Sequence, residues 1–286
     1  VPVELSYINQ VSNAIGITVL AKSKWLNALY IQGSQTDIQA LLGFNFVEKI
    51  EYATKTLNRP KNDEFIQKSF QKNNKLTVHT NINYGAATNQ IEMLKGEVLH
   101  LNNFTGEGIQ IAVIDAGFPY VDTFSAFQKI RTNNQILGGY DFVNRSPNFY
   151  TGHYHGMMVL STIAGNIENE FVGTAPDAKF YLFITEDSDN ETPLEESLWV
   201  EAAEKADSLG VDIINTSLGY STFDNPNHNY TYKNMDGQNT FILAVLRSKF
   251  ENISRSNEIN PHSHEPHNIK KVFDAGGPGT YKYAYL

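Results

Sequence analysis

The chain has 286 residues, a length that suits one or two domains, and its 41% hydrophobic content supplies enough apolar material for a sizeable core. Acidic residues outnumber basic ones by 31 to 22, for a net charge of −9 with no basic stripe, so nucleic acid is not an expected partner. Cysteine is absent, which excludes disulfides, thiol catalysis and Cys-ligated metal sites. No apolar run approaches the ~20 residues that span a bilayer.

Residues 1–57 read as a small α+β unit. Apolar periodicity predicts a helix over 5–14, strands over 17–21 and 24–32, a second helix over 35–42 and a closing strand over 46–53. This order suggests a ferredoxin-like unit whose first strand lies upstream or is missing. Residue 1 is Val rather than Met and no signal-like stretch precedes it, so the chain is expected to begin inside a longer precursor. Residues 58–90 are rich in Asn, Lys, Gln and Thr and read as a polar linker, with a short helical pattern over 63–70.

From residue 91 the pattern becomes an α/β alternation. EGIQIAVI (107–114) is a near-continuous apolar strand, as expected when both faces of a parallel sheet are buried. Further strands are predicted over 135–143, 179–184 and 211–217. Between 192 and 209 lies the strongest helix, with Thr192 as N-cap, Pro193 at its first position, Glu195 completing a capping box and Gly210 as the stop. Strand, helix and strand at this spacing form a βαβ unit. The alternation ends near Ile242, and residues 243–286 give no convincing buried strand.

Three segments carry residues suited to chemistry. Asp115 ends the strand in IAVIDAGF, where α/β sheets place their sites, although a strand-end Asp also commonly caps the next loop. In GHYHGMMVLSTIAG, His155 precedes Gly156 at a helix entrance and can face a cleft. With His153 it is also an H-x-H pair that offers two metal ligands, or simply two ordinary histidines. In IINTSLGY, Ser217, Leu218 and Gly219 follow a strand and offer backbone groups to an extended peptide.

Taken in order, strand–Asp115–Gly117, then His155–Gly156, then Ser217–Leu218–Gly219, the chain resembles the subtilisin-like serine proteases, and within them the exported bacterial branch with an N-terminal propeptide. The resemblance implies a partial doubly wound parallel-sheet domain over 91–242, preceded by an inhibitory propeptide at 1–57 and followed by an unmatched tail at 243–286. It implies that Asp115 orients His155, that His155 shuttles a proton for a serine, and that Ser217, Leu218 and Gly219 line the substrate groove. Polypeptide substrates, an intramolecular propeptide contact, a secreted or periplasmic location and structural calcium without identifiable ligands come with it. No other cofactor is expected. His153 matches no catalytic position and is expected to be structural or exposed, and Met157 stands where the family usually has Thr.

The nucleophile motif of the family, Gly-Thr-Ser-x-Ala, does not occur in the sequence, nor does Ser-Ala-Gly-Asn, which supplies the oxyanion-binding Asn. The nearest echo is Gly279–Thr280–Tyr281, with Tyr in place of Ser. The chain is therefore expected to be inactive as it stands, with its family sequence ending near Ile242 and a truncated or out-of-frame end beyond. Two other functions stay open. One is a non-catalytic peptide-binding or protease-inhibitory module, and the other is a metal-dependent hydrolase using Asp115, His153 and His155. His262, His264 and His267 in the tail are a further metal-binding pattern, with a solvated loop as the alternative.

Overall fold

A computed structural model describes residues 3–53, 82–220, 222–229 and 270–273. The helical pattern at 63–70, most of the linker, the tail histidines and the Gly-rich segment near 279 lie outside the described residues. The chain divides into two compact units, one drawn from 1–65, 189–205 and 220–265 and the other from 66–188, 206–219 and 266–286.

In the first unit, helix α1 (Leu5–Ser12) precedes strands β1 (Thr18–Ser23) and β2 (Ala28–Gln32), which pair antiparallel, and helix α2 (Gln35–Ala40) follows. Ser34 caps α2: its Oγ accepts the Asp37 N–H at 3.2 Å and donates to the Asp37 carboxylate at 2.6 Å. Val11, Ile17 and Leu41 are buried together, with Leu29, Ile31 and Ile38 packed around them. Two expectations are corrected. The second strand begins at Ala28, because 24–27 turn and Asn27 takes φ +48°. The closing strand over 46–53 does not form. Here aromatic stacking replaces ladder pairing: Phe46 lies 4.2 Å from Tyr7 and 5.2 Å from Phe44, so the segment covers the core through its side chains.

The same unit contains most of helix α7 (Leu194–Leu209), which starts one residue after the expected first position, Pro193. The Thr192 N–H donates to the Glu195 carboxylate at 3.3 Å. Farther along, two carboxylates one turn apart on α7 take up the main chain of the β1–β2 turn. Glu204 accepts from the Ser23 hydroxyl at 2.6 Å, the Trp25 N–H at 2.9 Å and the Lys24 N–H at 3.0 Å, while Glu201 accepts the Lys22 N–H at 3.3 Å. A tight turn leaves such amides without sheet partners, and a carboxylate with two oxygens satisfies several at once. Tyr30 on β2 has its phenol pushed up to about 12, first by burial and then by the negative charge of Glu196.

The second unit is built on a parallel sheet in the order β4 (Ile136–Asp141), β7 (Lys179–Ile184), β3 (Gln110–Asp115), β8 (Ile213–Thr216) and β9 (Lys270–Phe273). Strand β3 is central, as its unbroken apolar run predicts: Ala112, Val113 and Ile114 have no exposed surface. Ile111 and Val113 pack with Ile130 of α5 (Gln128–Thr132), Leu160 and Ala164 of α6 (His155–Ala164), and Phe180, Leu182 and Ile184 of β7. A short antiparallel pair, β5 (Asn166–Ile167) and β6 (Phe171–Val172), follows α6.

Two further expectations change in this unit. The polar linker does not reach residue 90: Tyr84, Ala87 and Ile91 are buried with Val172, and α3 (Thr88–Met93) and α4 (Gly96–Leu101) follow. Tyr84 holds this segment down by a 3.0 Å hydrogen bond to His100, whose other ring nitrogen donates to the Thr174 carbonyl at 2.9 Å. The tail also contributes a strand, because β9 pairs parallel with β8, Thr216 opposite Phe273. A strand edge offers unpaired amides, and the Lys-Lys-Val-Phe stretch carries two residues of high β propensity to meet them. Among the described residues no helix is long and apolar enough to cross a membrane.

The Glu204 contact gives a first prediction. Replacing Glu204 by Ala removes the shared acceptor of one hydroxyl and two amides, and the unfolding free energy is expected to fall by about 1–3 kcal/mol. Amide exchange at Lys24 and Trp25 is expected to accelerate with it, and Glu204→Gln, which keeps one acceptor oxygen, to recover part of the loss. Unchanged exchange at both amides in Glu204→Ala contradicts the assignment.

Candidate active site

The site begins where β3 stops. Asp115 is the last residue of the strand and is fully buried, and its register partner on β7 is Ile184. On the other side β8 runs parallel with Thr216 opposite Ile114, so Ser217 follows at the level of Asp115. The carboxyl ends of the three central strands thus meet at one edge of the sheet, where open α/β sheets hold their ligands.

His155 reaches this edge from α6. The loop after β3 and the loop before α6 are laced together by main-chain bonds: Phe118 N–H to Thr151 carbonyl at 2.8 Å, and His153 N–H to Ala116 carbonyl at 3.0 Å. The lacing depends on Gly152, at φ +80°, where an added Cβ would lie 2.4 Å from the Ala116 carbonyl oxygen. Gly156 then lets the first turn of α6 settle on the strand end, since a Cβ there would lie 2.5 Å from the Gly117 carbonyl oxygen and 2.8 Å from the Asp115 Cβ. The result is a 2.7 Å hydrogen bond between His155 Nδ1 and Asp115 Oδ1.

The electrostatics of the pair follow from burial. Asp115 has no exposed surface, whereas 40% of the His155 side chain is exposed. Burial pushes the Asp115 carboxyl above its usual range, opposed by the hydrogen bond from His155, by the Ala116 N–H at 2.7 Å and by the charges of His155 and His153. An ionised carboxylate only accepts, so Nδ1 of His155 carries the proton and Nε2 is left bare. Among the described residues Nε2 has no hydrogen-bond partner. Such a nitrogen takes a proton from a hydroxyl or a water, and the carboxylate behind it stabilises the imidazolium that forms.

The structure therefore brings Asp115 and His155 into direct contact and sets Ser217, Leu218 and Gly219 on the neighbouring strand end. Gly219 is exposed, and a Cβ added to it would meet nothing within 4 Å, so the chain there is open to an approaching partner. Among the described residues no group of three or more His, Asp or Glu side chains is placed to hold a metal ion. Two contributors escape sequence reasoning. The Ala116 amide is a second donor to Asp115, and such a main-chain role leaves no residue signature. His153 is a side-chain acceptor for the His155 N–H at 3.3 Å, a capping role for which histidine is not among the usual residues.

Comparison with known proteins places this geometry in context. The model described as Peptidase S8 propeptide domain, Bacteroidota, matches residues 1–73, and that described as Subtilase family matches residues 106–249. Subtilisin E of Bacillus subtilis (strain 168) is 34% identical over 135 residues, which are 46% of this chain and 32% of that protein. Subtilisin of Bacillus pumilus is 33% identical over 135 residues, 46% of this chain and 45% of its own. The chain thus spans between 32% and 45% of the length of these curated relatives. The crystal structure of MycP1 with the N-terminal propeptide removed overlaps 68% of this chain and 49% of its own, with a TM-score of 0.44 and 19% identity.

The weakened acidity of Asp115 has a measurable consequence. A carboxyl whose folded value lies above its unfolded value, near 3.9, costs stability as pH rises through the window between them. Asp115→Asn is free of that cost. Between pH 3 and pH 5.5, below the histidine range, urea unfolding is expected to show the Asn variant gaining on the parent as pH rises. A relative gain by the parent instead means that the His155 and Ala116 donors outweigh burial.

Proposed function

The chain belongs to the subtilase family, and from that premise we propose that it carries the acid–base half of a serine endopeptidase. In this reading Asp115 fixes the tautomer of His155 and stabilises its protonated form. His155 Nε2 takes the proton of a serine hydroxyl as that oxygen attacks a peptide carbonyl, and then returns it to the leaving amine. Ser217, Leu218 and Gly219 form one wall of the substrate groove, where the exposed main chain at Gly219 pairs with an extended polypeptide as an added strand. The observation that carries the reading is the 2.7 Å bond from His155 Nδ1 to a fully buried Asp115 whose strand end also borders the Ser217 segment.

The N-terminal unit is the inhibitory propeptide in this reading. Its β1–β2 turn is held by Glu201 and Glu204, carboxylates that lie within the segment matched by the subtilase model, while the turn lies within the segment matched by the propeptide model. The contact is intramolecular and supports a propeptide docked on a helix of the enzyme. Export to the periplasm or the medium belongs to the same reading. The nucleophile is not part of it: the sequence has no Gly-Thr-Ser-x-Ala segment, and the chain as it stands is taken to be inactive.

A fluorophosphonate probe, which bonds only to an activated serine, tests the reading. A protein in which this chain is joined to a segment carrying the Gly-Thr-Ser-x-Ala serine is expected to label, and His155→Ala to lower labelling at least ~1000-fold. The chain of 286 residues alone is expected not to label. Labelling of the joined protein that is indifferent to His155 overturns the assignment of the pair, and labelling of the present chain overturns its inactivity.

A further inference from the structure

His153 touches the site only through the main chain, yet it is tied to both of its halves. Its own N–H donates to the Ala116 carbonyl, next to Asp115, at 3.0 Å. Its Nδ1 accepts the N–H of His155 at 3.3 Å. His155 is the first residue of α6, a helix of ten residues, so its amide is one of the donors that a helix start leaves without an intrahelical acceptor. The residue at the N-cap, Tyr154, makes no side-chain capping bond, and its ring lies against that of His153 at 4.2 Å. The cap of α6 is therefore supplied by an imidazole nitrogen one residue upstream.

We propose that His153 is a positioning residue that holds the backbone of His155 only in its neutral form, with Nε2 protonated and Nδ1 bare. An oxygen cap such as Ser or Asn accepts at every pH near neutrality. An imidazole is the side chain whose charge changes between about pH 5 and 8, and once protonated it has two donors and no acceptor. The His155 amide then faces an N–H instead of a lone pair, and a positive charge sits at the positive end of the helix. The charged and titratable groups around His153 are the Asp115 carboxylate, whose acidity the His153 charge increases, the imidazole of His155 and the phenol of Tyr154. Acidification thus loosens the first turn of α6, the turn that aims His155 at Asp115.

The consequence for catalysis rests on the reading of His155 given above; the cap itself does not, so its test is made without substrate. Nitrogen chemical shifts of the imidazoles in the whole chain at pH 8 are expected to identify His153 as the Nε2–H tautomer. Amide exchange at residue 155 is then compared between the parent and His153→Asn, whose side-chain oxygen keeps an acceptor without titrating. His155 is common to both proteins, so their ratio isolates residue 153. The parent is expected to exchange about tenfold faster than His153→Asn at pH 5, the size of one lost N-cap, and within a factor of about two of it at pH 8. His153→Ala is expected to exchange fast at both pH values. A ratio that does not change with pH overturns the proposal, and so does an Nδ1–H tautomer at pH 8. Both deciding measurements stand even where His153→Ala does not fold, and neither depends on the probe-labelling outcome.

Discussion

A carboxylate at the end of a fully buried strand has lost its water, and the charge persists only if donors reach it there. In this chain the donors are the amide of the following residue and one imidazole, and much of the second unit is arranged so that the imidazole arrives. Strand β3 must be central for its end to be dry. The loops on either side of the site must be laced together, which two main-chain bonds and a left-handed glycine achieve. The helix must begin close enough to the strand that a single Cβ at Gly156 would collide with it. The side-chain bond at 2.7 Å is the sum of these backbone constraints.

The legibility of the sequence follows the same division. Elements driven by burial are readable: the apolar run of β3 announces a central strand, and Thr192, Glu195 and Gly210 delimit α7 because capping is local chemistry. The pairing of Asp115 with His155 is readable only through a family resemblance, since forty residues of intervening chain give no local signal of contact. What the sequence hides is set by tertiary context. Phe44 and Phe46 flank Asn45 as alternate strand residues would, but stacking of Phe46 on Tyr7 and of Phe44 on Phe46 satisfies them without a ladder. Tyr84 sits in a polar stretch and is nonetheless buried, because Val172, far along the chain, closes over it. Strand β9 arises in a tail without an α/β pattern because an edge amide row accepts a short segment of modest propensity.

The two ring systems flanking the site illustrate how one residue type serves opposite ends. His155 uses Nδ1 as a donor to a side chain, and His153 uses Nδ1 as an acceptor from a backbone amide. Their tautomers are therefore reversed, and each is dictated by its partner rather than by exposure. The H-x-H pattern, which in isolation reads equally as a pair of metal ligands, is resolved by asking what each Nδ1 faces.

The grip of Glu201 and Glu204 on the β1–β2 turn is almost blind to side chains. Apart from the Ser23 hydroxyl, the atoms the two carboxylates hold are backbone amides, which every residue but proline possesses. The carboxylate contacts by themselves thus make no demand on which side chains stand at 22, 24 and 25 as long as the turn keeps its shape, whereas they do require the two acids on the helix. The conserved partner and the variable partner of such a contact are expected to lie on opposite sides of it. A search for the N-terminal units of distant relatives by sequence alone would lose them sooner than it would lose the helix that receives them.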